Sequence, residues 1–173
     1  MMMPSGLKYF RLRKWRKRLG RRGENCAARM LSDAGCVILA RNCRTPRAEI
    51  DIVARDGLCL VFVEVKTLYC RRGVSTDSLH PASHLGDAQK RRLYRAAFSY
   101  LRDLGNPPLL FRFDLVEVIY GAFGPSAVRH WRNHFGGGGK KRAFGRMHGG
   151  AGLLKPDKGE EVGNFPSSFP FLF

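Results

Sequence analysis

The sequence predicts an α/β protein, a β-sheet with helices packed against it. Three observations carry that reading. Segments with helical spacing alternate along the chain with segments of strand spacing. An Asp-Gly pair, Asp56-Gly57, separates two alternating apolar runs, which is a strong hairpin signal. The composition, 44% hydrophobic and 26% charged over 173 residues, is that of a globular chain with one core.

The elements follow in order. Ala27, Met30, Leu31 and Ala34 recur at i, i+3, i+4 and i+7, so a helix is expected there, ending at Gly35. Cys36 to Ala40 is a short apolar run and reads as a strand. Glu49 to Ala54 alternates, Arg55-Asp56-Gly57 turns, and Leu58 to Lys66 alternates again. Leu93, Ala96, Ala97, Tyr100, Leu101 and Leu104 mark the longest helix, from Asp87 to Leu104, stopped by Gly105, Pro107 and Pro108. Leu109 to Tyr120 reads as a strand with a bend near Asp114. Residues 127–135 read as a short terminal helix or strand. The order is α-β-β-β-α-β.

Charge and glycine divide the chain into three parts. Residues 1–22 form a basic N-terminal arm without an acidic residue, 23–135 a balanced domain, and 136–173 a Gly-rich tail opening on Gly136-Gly137-Gly138-Gly139. That tail lacks apolar periodicity and reads as disordered. The net charge of +17 points to phosphate-bearing partners. No apolar stretch approaches the ~18 residues of a membrane span, and no apolar core follows the basic N-terminus, so neither a membrane protein nor a secretory signal is expected. The five cysteines, Cys26, Cys36, Cys43, Cys59 and Cys70, include no C-x-x-C pair. They read as free thiols of a cytoplasmic protein, with no zinc site.

The expected chemistry lies on the hairpin. With Asp56-Gly57 as the two loop residues, Arg55 stands opposite Leu58 and Asp51 opposite Phe62. Glu49, Asp51, Phe62, Glu64 and Lys66 then share one face, with Asp51 and Glu64 diagonal neighbours roughly 7–8 Å apart. Two carboxylates so placed can converge on one hard cation. Like charges side by side cost stability, and the surrounding run of Leu, Cys, Val and Phe gives Glu64 and Lys66 no structural reason to be there.

Asp51 followed by Glu64-x-Lys66 on the next strand resembles the PD-(D/E)XK nuclease signature. More closely, Arg22-Gly23-Glu24, Ala48-Glu49-Ile50-Asp51, Phe62-Val63-Glu64-Val65-Lys66-Thr67 and Arg112-Phe113-Asp114, in that order and spacing, resemble the YraN family. That is an uncharacterised bacterial family with a restriction-endonuclease-like fold, similar to Holliday-junction resolvases. The resemblance covers about residues 20–135. It implies a mixed sheet flanked by helices and a nuclease that uses Mg²⁺ (or Mn²⁺) to hydrolyse DNA, on branched or damaged structures. It implies that Asp51, Glu64 and the Val65 carbonyl hold the metal, that Lys66 acts on the attacking water and the phosphate, and that Glu24 completes the acidic site through water. It places Gln89 and Lys90 where related nucleases keep supporting polar residues, and gives Glu49 no assigned role. Ala48, Leu68 and His134 depart from the family pattern without touching the implied ligands.

The basic residues add an expected surface for DNA, or RNA. Arg11, Lys14, Arg18, Arg21 and Arg22, with Tyr9, Phe10 and Trp15 interleaved, combine phosphate attraction with stacking, and Lys90 opens a second basic cluster. His80, His84, His130, His134 and His148 lack metal spacing. The rival expectation is a nucleic-acid-binding protein that keeps the fold without cutting. The oligomeric state is not legible.

Overall fold

The computed structural model describes residues 5–46, 48–72, 74–79, 85–107 and 109–135. The expected disordered tail and the histidines at 80, 84 and 148 lie outside these residues. The elements are α1 (Ser5–Asp33), β1 (Val37–Arg44), β2 (Glu49–Asp56), β3 (Cys59–Tyr69), α2 (Asp87–Asp103), β4 (Leu110–Tyr120) and β5 (Pro125–Trp131). The strands form one sheet in the order β1-β2-β3-β4-β5. β3 and β4 pair in parallel and the other neighbours antiparallel, so the sheet is mixed. A parallel pair needs a crossover, and α2 supplies it. The terminal segment 127–135, open between helix and strand in the sequence, falls mainly in β5 and the turn that follows it.

The two helices cover opposite faces. Ala27, Ala28, Met30 and Leu31 of α1 bury against Ile52, Ala54, Val61, Val63, Val116 and Val118. Leu93, Ala96, Ala97 and Leu101 of α2 bury against Val53, Leu60, Phe62, Phe111, Phe113 and Leu115. The near-continuous apolar runs of β3 and β4 follow from this, since a central strand covered on both sides has no polar face. This three-layer arrangement is consistent with a restriction-endonuclease-like fold.

Both helices end as glycine at the expected position dictates. At Gly35 (φ 86°) the Cys36 amide donates to Leu31 O at 2.9 Å and the Gly35 amide to Ser32 O at 3.0 Å. At Gly105 (φ 81°) the Asn106 and Gly105 amides repeat the pattern on Leu101 O and Arg102 O. Both are Schellman closures, which need a left-handed residue just past the helix.

Three expectations require correction. The hairpin register is two residues off: Asp56 pairs with Cys59 and Arg55 with Leu60, so the loop is Gly57-Leu58. Gly57 takes a positive φ of 56° at the first loop position, the Gly-X form of a two-residue turn rather than Asp-Gly. The bend expected near Asp114 brings no break in pairing, since β4 pairs β3 without a register shift from Cys59↔Leu110 to Tyr69↔Tyr120. The first helix begins far upstream of Ala27, and from Ser5 onward the basic segment is its N-terminal half.

Candidate active site

The site forms where β2 and β3 part. Their pairing ends at Ile52↔Val63, and one more step in that register brings Asp51 opposite Glu64. Asp51 is therefore level with Glu64 rather than diagonal to it. Instead of another backbone bond, the Asp51 carboxylate accepts the Val65 N–H at 2.7 Å. The N–H and C=O of one residue in a strand face the same neighbour, so the Val65 carbonyl is directed to the Asp51 side. The expected common face does not hold. Phe62 buries in the α2 cluster, and Ile50 and Val53, three apart, both bury there too. The alternation of β2 therefore slips between them, and Asp51 lines a cleft with residues of α1. Glu49 is exposed and pairs with Arg44 at 3.7 Å.

Glu64 is almost buried, and its charge is met from two sides. Lys66 Nζ donates to Oε1 at 2.8 Å, from two residues along the same strand face. Gln89 Nε2, in the first turn of α2, donates to the same oxygen at 2.6 Å. Gln89 thus belongs to the site. Lys90 turns instead to Asp87 at 3.7 Å.

Glu24 reaches the site because α1 crosses the end of β3 at very short range. A Cβ on Gly23 would fall 1.8 Å from Thr67 Oγ1 and 2.9 Å from Thr67 Cβ, so only glycine fits there. Tyr120 at the end of β4 fixes the crossing, donating from its hydroxyl to Arg22 O at 2.9 Å beneath the Arg22 guanidinium, 5.0 Å from its ring centre. Upstream, Trp15 meets Tyr69 edge-on at 5.7 Å between ring centres. Between α1 and the end of β3 lies an open cleft of about 850 Å³. Glu24, Asp51 and Glu64 line it together with Leu12, Trp15, Arg16, Leu19, Val65, Thr67, Leu68, Tyr69 and Arg71.

The electrostatics show crowding of like charge. Burial first, then the neighbouring Glu64, raise the Asp51 carboxyl from its ordinary value to about 7. Glu24 adds to the rise, while the Val65 amide and Lys66 oppose it. Among the described residues no three His, Cys, Asp or Glu side chains could enclose a metal ion by themselves. A divalent cation here would take Asp51, Glu64, the Val65 carbonyl and water. That all-oxygen set suits Mg²⁺ or Mn²⁺, and its excess negative charge is what such a cation would relieve.

The basic residues divide by helical phase. Leu12, Trp15, Arg16, Leu19, Gly20, Gly23 and Glu24 form the stripe of α1 that faces the cleft and β3. Lys14, Arg18 and Arg21 lie opposite that stripe, and Arg11 and Arg22 flank it. All five are exposed. Of the two arginines that do line the cleft, Arg16 is legible in the sequence only as one more residue of the basic arm and Arg71 not at all, and Gly23 has no legible role there. The signal for Arg16 was present in the spacing of Leu12, Trp15, Arg16 and Leu19, hidden within a dense run of charges.

A second polar cluster lies at the other end of the sheet. Asp114, fully buried, accepts from Arg112 Nε at 3.0 Å and from the Asn133 amide at 2.8 Å, and contacts His130 Nε2 at 2.8 Å. Arg112 also pairs with Asp56 at 2.8 Å, and Asp56 with Arg132. Burial alone would raise the Asp114 carboxyl, but His130, Arg112 and the Asn133 amide outweigh it and hold the group below its ordinary value. His130 is therefore a partner of a buried carboxylate.

Comparison with known sequences agrees with this layout. A family model described as "Uncharacterised protein family UPF0102" matches residues 23–118. A UPF0102 protein of Symbiobacterium thermophilum is 44% identical over 119 residues, covering 69% of this chain and 97% of the relative. One from Streptomyces griseus is 45% identical over 115 residues, covering 66% and 92%. One from Chlorobaculum parvum is 39% identical over 113 residues, covering 65% and 84%.

Proposed function

The chain belongs to the uncharacterised protein family UPF0102, known also as the YraN family, and from that premise we propose that it is a metal-dependent nuclease hydrolysing DNA phosphodiester bonds. The observation that carries the reading is the meeting of Asp51, Glu64 and Glu24 in one cleft, with Lys66 on Glu64. Crowded carboxylates with a raised Asp51 are costly for stability and sit in a concave, partly basic cleft, as functional groups do.

Mg²⁺ or Mn²⁺, bound by Asp51, Glu64 and the Val65 carbonyl, would supply charge stabilisation at the phosphate and lower the pKa of a nucleophilic water. The chain's own residues do the rest. The Val65 N–H fixes the Asp51 carboxylate through Oδ2, leaving Oδ1 for a ligand. Gln89 and Lys66 fix Glu64 by the same oxygen, Oε1, and leave Oε2 for a ligand. Lys66 places a positive charge beside the position where negative charge develops in the transition state. Arg16 and Arg71 supply cations for the flanking phosphates. Glu24 lines the cleft from α1 and would complete the acidic site through water. The DNA substrate is a branched or damaged structure on this reading, and Arg11, Lys14, Arg18, Arg21, Arg22 and Lys90 add attraction without sequence information.

The second reading is a nucleic-acid binder that does not cut. It draws on the Lys66–Glu64 pair, which already neutralises one proposed ligand. Titration calorimetry with Mg²⁺ and Mn²⁺ separates the two, because a pure binder gives no metal heat. The decisive experiment is gel cleavage of linear, nicked, flapped and four-way DNA with each metal. Loss of cutting in Asp51→Asn and Glu64→Gln, with DNA binding in Ca²⁺ retained, is the expected result. An Asp51→Asn protein that cuts as fast as the parent overturns the site.

A further inference from the structure

The cleft holds an aromatic pair that the hydrolysis chemistry does not use. Trp15 and Tyr69 are 45% and 39% exposed although their rings touch, so neither is consumed by the core. Both line the same cleft as Asp51 and Glu64. Arg16, next to Trp15, and Arg71, two residues past Tyr69, line it too, and among the described residues neither forms an ion pair. Exposed aromatic rings cost free energy in water, and two of them beside guanidinium groups match the alternation of base and phosphate along a single strand. A paired duplex offers no base face to such rings, because its bases are stacked on one another.

We propose that Trp15 and Tyr69 form a stacking site for an unpaired base of single-stranded DNA, with Arg16 and Arg71 on the adjoining phosphates. The inference rests on the nuclease reading for the choice of DNA, and deepens it: the strand enters beside the acidic centre as a single-stranded segment. α1 carries one wall of this site, held at its correct height by the Gly23–Thr67 crossing.

The test is binding in Ca²⁺, which separates affinity from turnover. The probes are a labelled oligothymidylate and a duplex of the same length. The full chain carrying Trp131→Phe reports Trp15 as its sole tryptophan. Oligothymidylate should quench that fluorescence, and the duplex should not. Trp15→Ala and Tyr69→Ala should each lose about tenfold or more of the single-strand affinity and change duplex affinity by less than about twofold, while Trp15→Phe keeps most of the single-strand affinity. Far-ultraviolet circular dichroism and thermal melting identify a variant that has not folded. If Trp15→Ala is that variant, Tyr69→Ala decides. Equal losses on both DNAs, or no loss on either, overturn the inference, as does tighter binding of the parent to the duplex. A parent that cuts duplex DNA while both alanine variants bind like the parent removes the stacking site and leaves the nuclease reading standing. A parent that shows the Trp15-dependent preference yet cuts nothing does the reverse.

Discussion

Asp51 is the residue at which the proposed function and stability conflict. Its carboxyl is raised to about 7 in the folded protein by burial and by Glu64, against an ordinary value near 4 when unfolded. A raised carboxyl contributes stability below the unfolded value, and that contribution is lost as pH rises through the folded value. In metal-free buffer Asp51→Asn should therefore melt above the parent at about pH 8, by ~1 kcal/mol or more, and level with it at about pH 4. The amide still accepts the Val65 N–H, so the comparison isolates the charge. A parent more stable than Asp51→Asn at pH 8 in chelator would sink the argument. Gly23 makes the opposite demand, for space. Gly23→Ala should cost about 1–3 kcal/mol in urea unfolding, because the methyl group meets Thr67. Adding Thr67→Ala removes the closest atom, Oγ1, and should return part of that loss, a coupling that a double-mutant cycle reads directly.

At the scale of elements, β4 is tied to the turn after β5 by charge. Asp114 holds Arg112, His130 and the Asn133 amide, all buried. Asp114→Ala leaves Arg112 with a buried charge less well met, and should cost about 3–5 kcal/mol by denaturant titration. The sign with pH is the reverse of that at Asp51. A depressed carboxyl gives stability above its unfolded value, and that stability is lost as pH falls through the folded one. The parent should lose stability on acidification at a rate that Asp114→Ala does not match. How far the sequence disclosed these elements depends on what each one signals. The middle strands, α2 and both glycine stops were legible because periodicity and caps are local. The hairpin register was not, because Asp56 and Gly57 both favour turns and a two-residue slip preserves which side chains share a face. The start of α1 was hidden because its apolar stripe is spread among nine basic residues. Glu64 and Lys66 were legible as out-of-place charges, and Asp51 only through an assumed hairpin pairing that the structure shifts. The break of alternation at Asp51 was not, since only the sheet reveals it. The resemblance put Gln89 near the site, but its bond to Glu64 joins residues 25 apart and only the folded chain shows it.

For the whole molecule the net charge of +17 decides how it meets a polyanion. Replacing Arg11, Lys14, Arg18 and Arg21 by Gln should weaken binding to every DNA sequence alike and reduce the salt slope, by roughly 0.9 for each duplex phosphate no longer neutralised. Fluorescence anisotropy across a salt series measures both, and an unchanged slope would take this face of α1 off the binding surface. Substitution is cleaner than truncation, because a deletion through residue 19 would also remove Leu19, which packs on the core. The long parallel pairing of β3 with β4 has a kinetic consequence. Every partnership in it joins positions about fifty residues apart, whereas the β2–β3 hairpin closes over two loop residues. Closing the long loop costs chain entropy before any of its pairings form, so the hairpin should assemble early and the β3–β4 pairing late. The two carboxylates and the lysine come together with the hairpin, but the glutamine that steadies them arrives only with α2 and the crossover. During refolding, then, the acidic pair should stand for a time without Gln89, and on the proposed metal-dependent reading stopped-flow refolding should be slower in neutral chelator than in Mg²⁺.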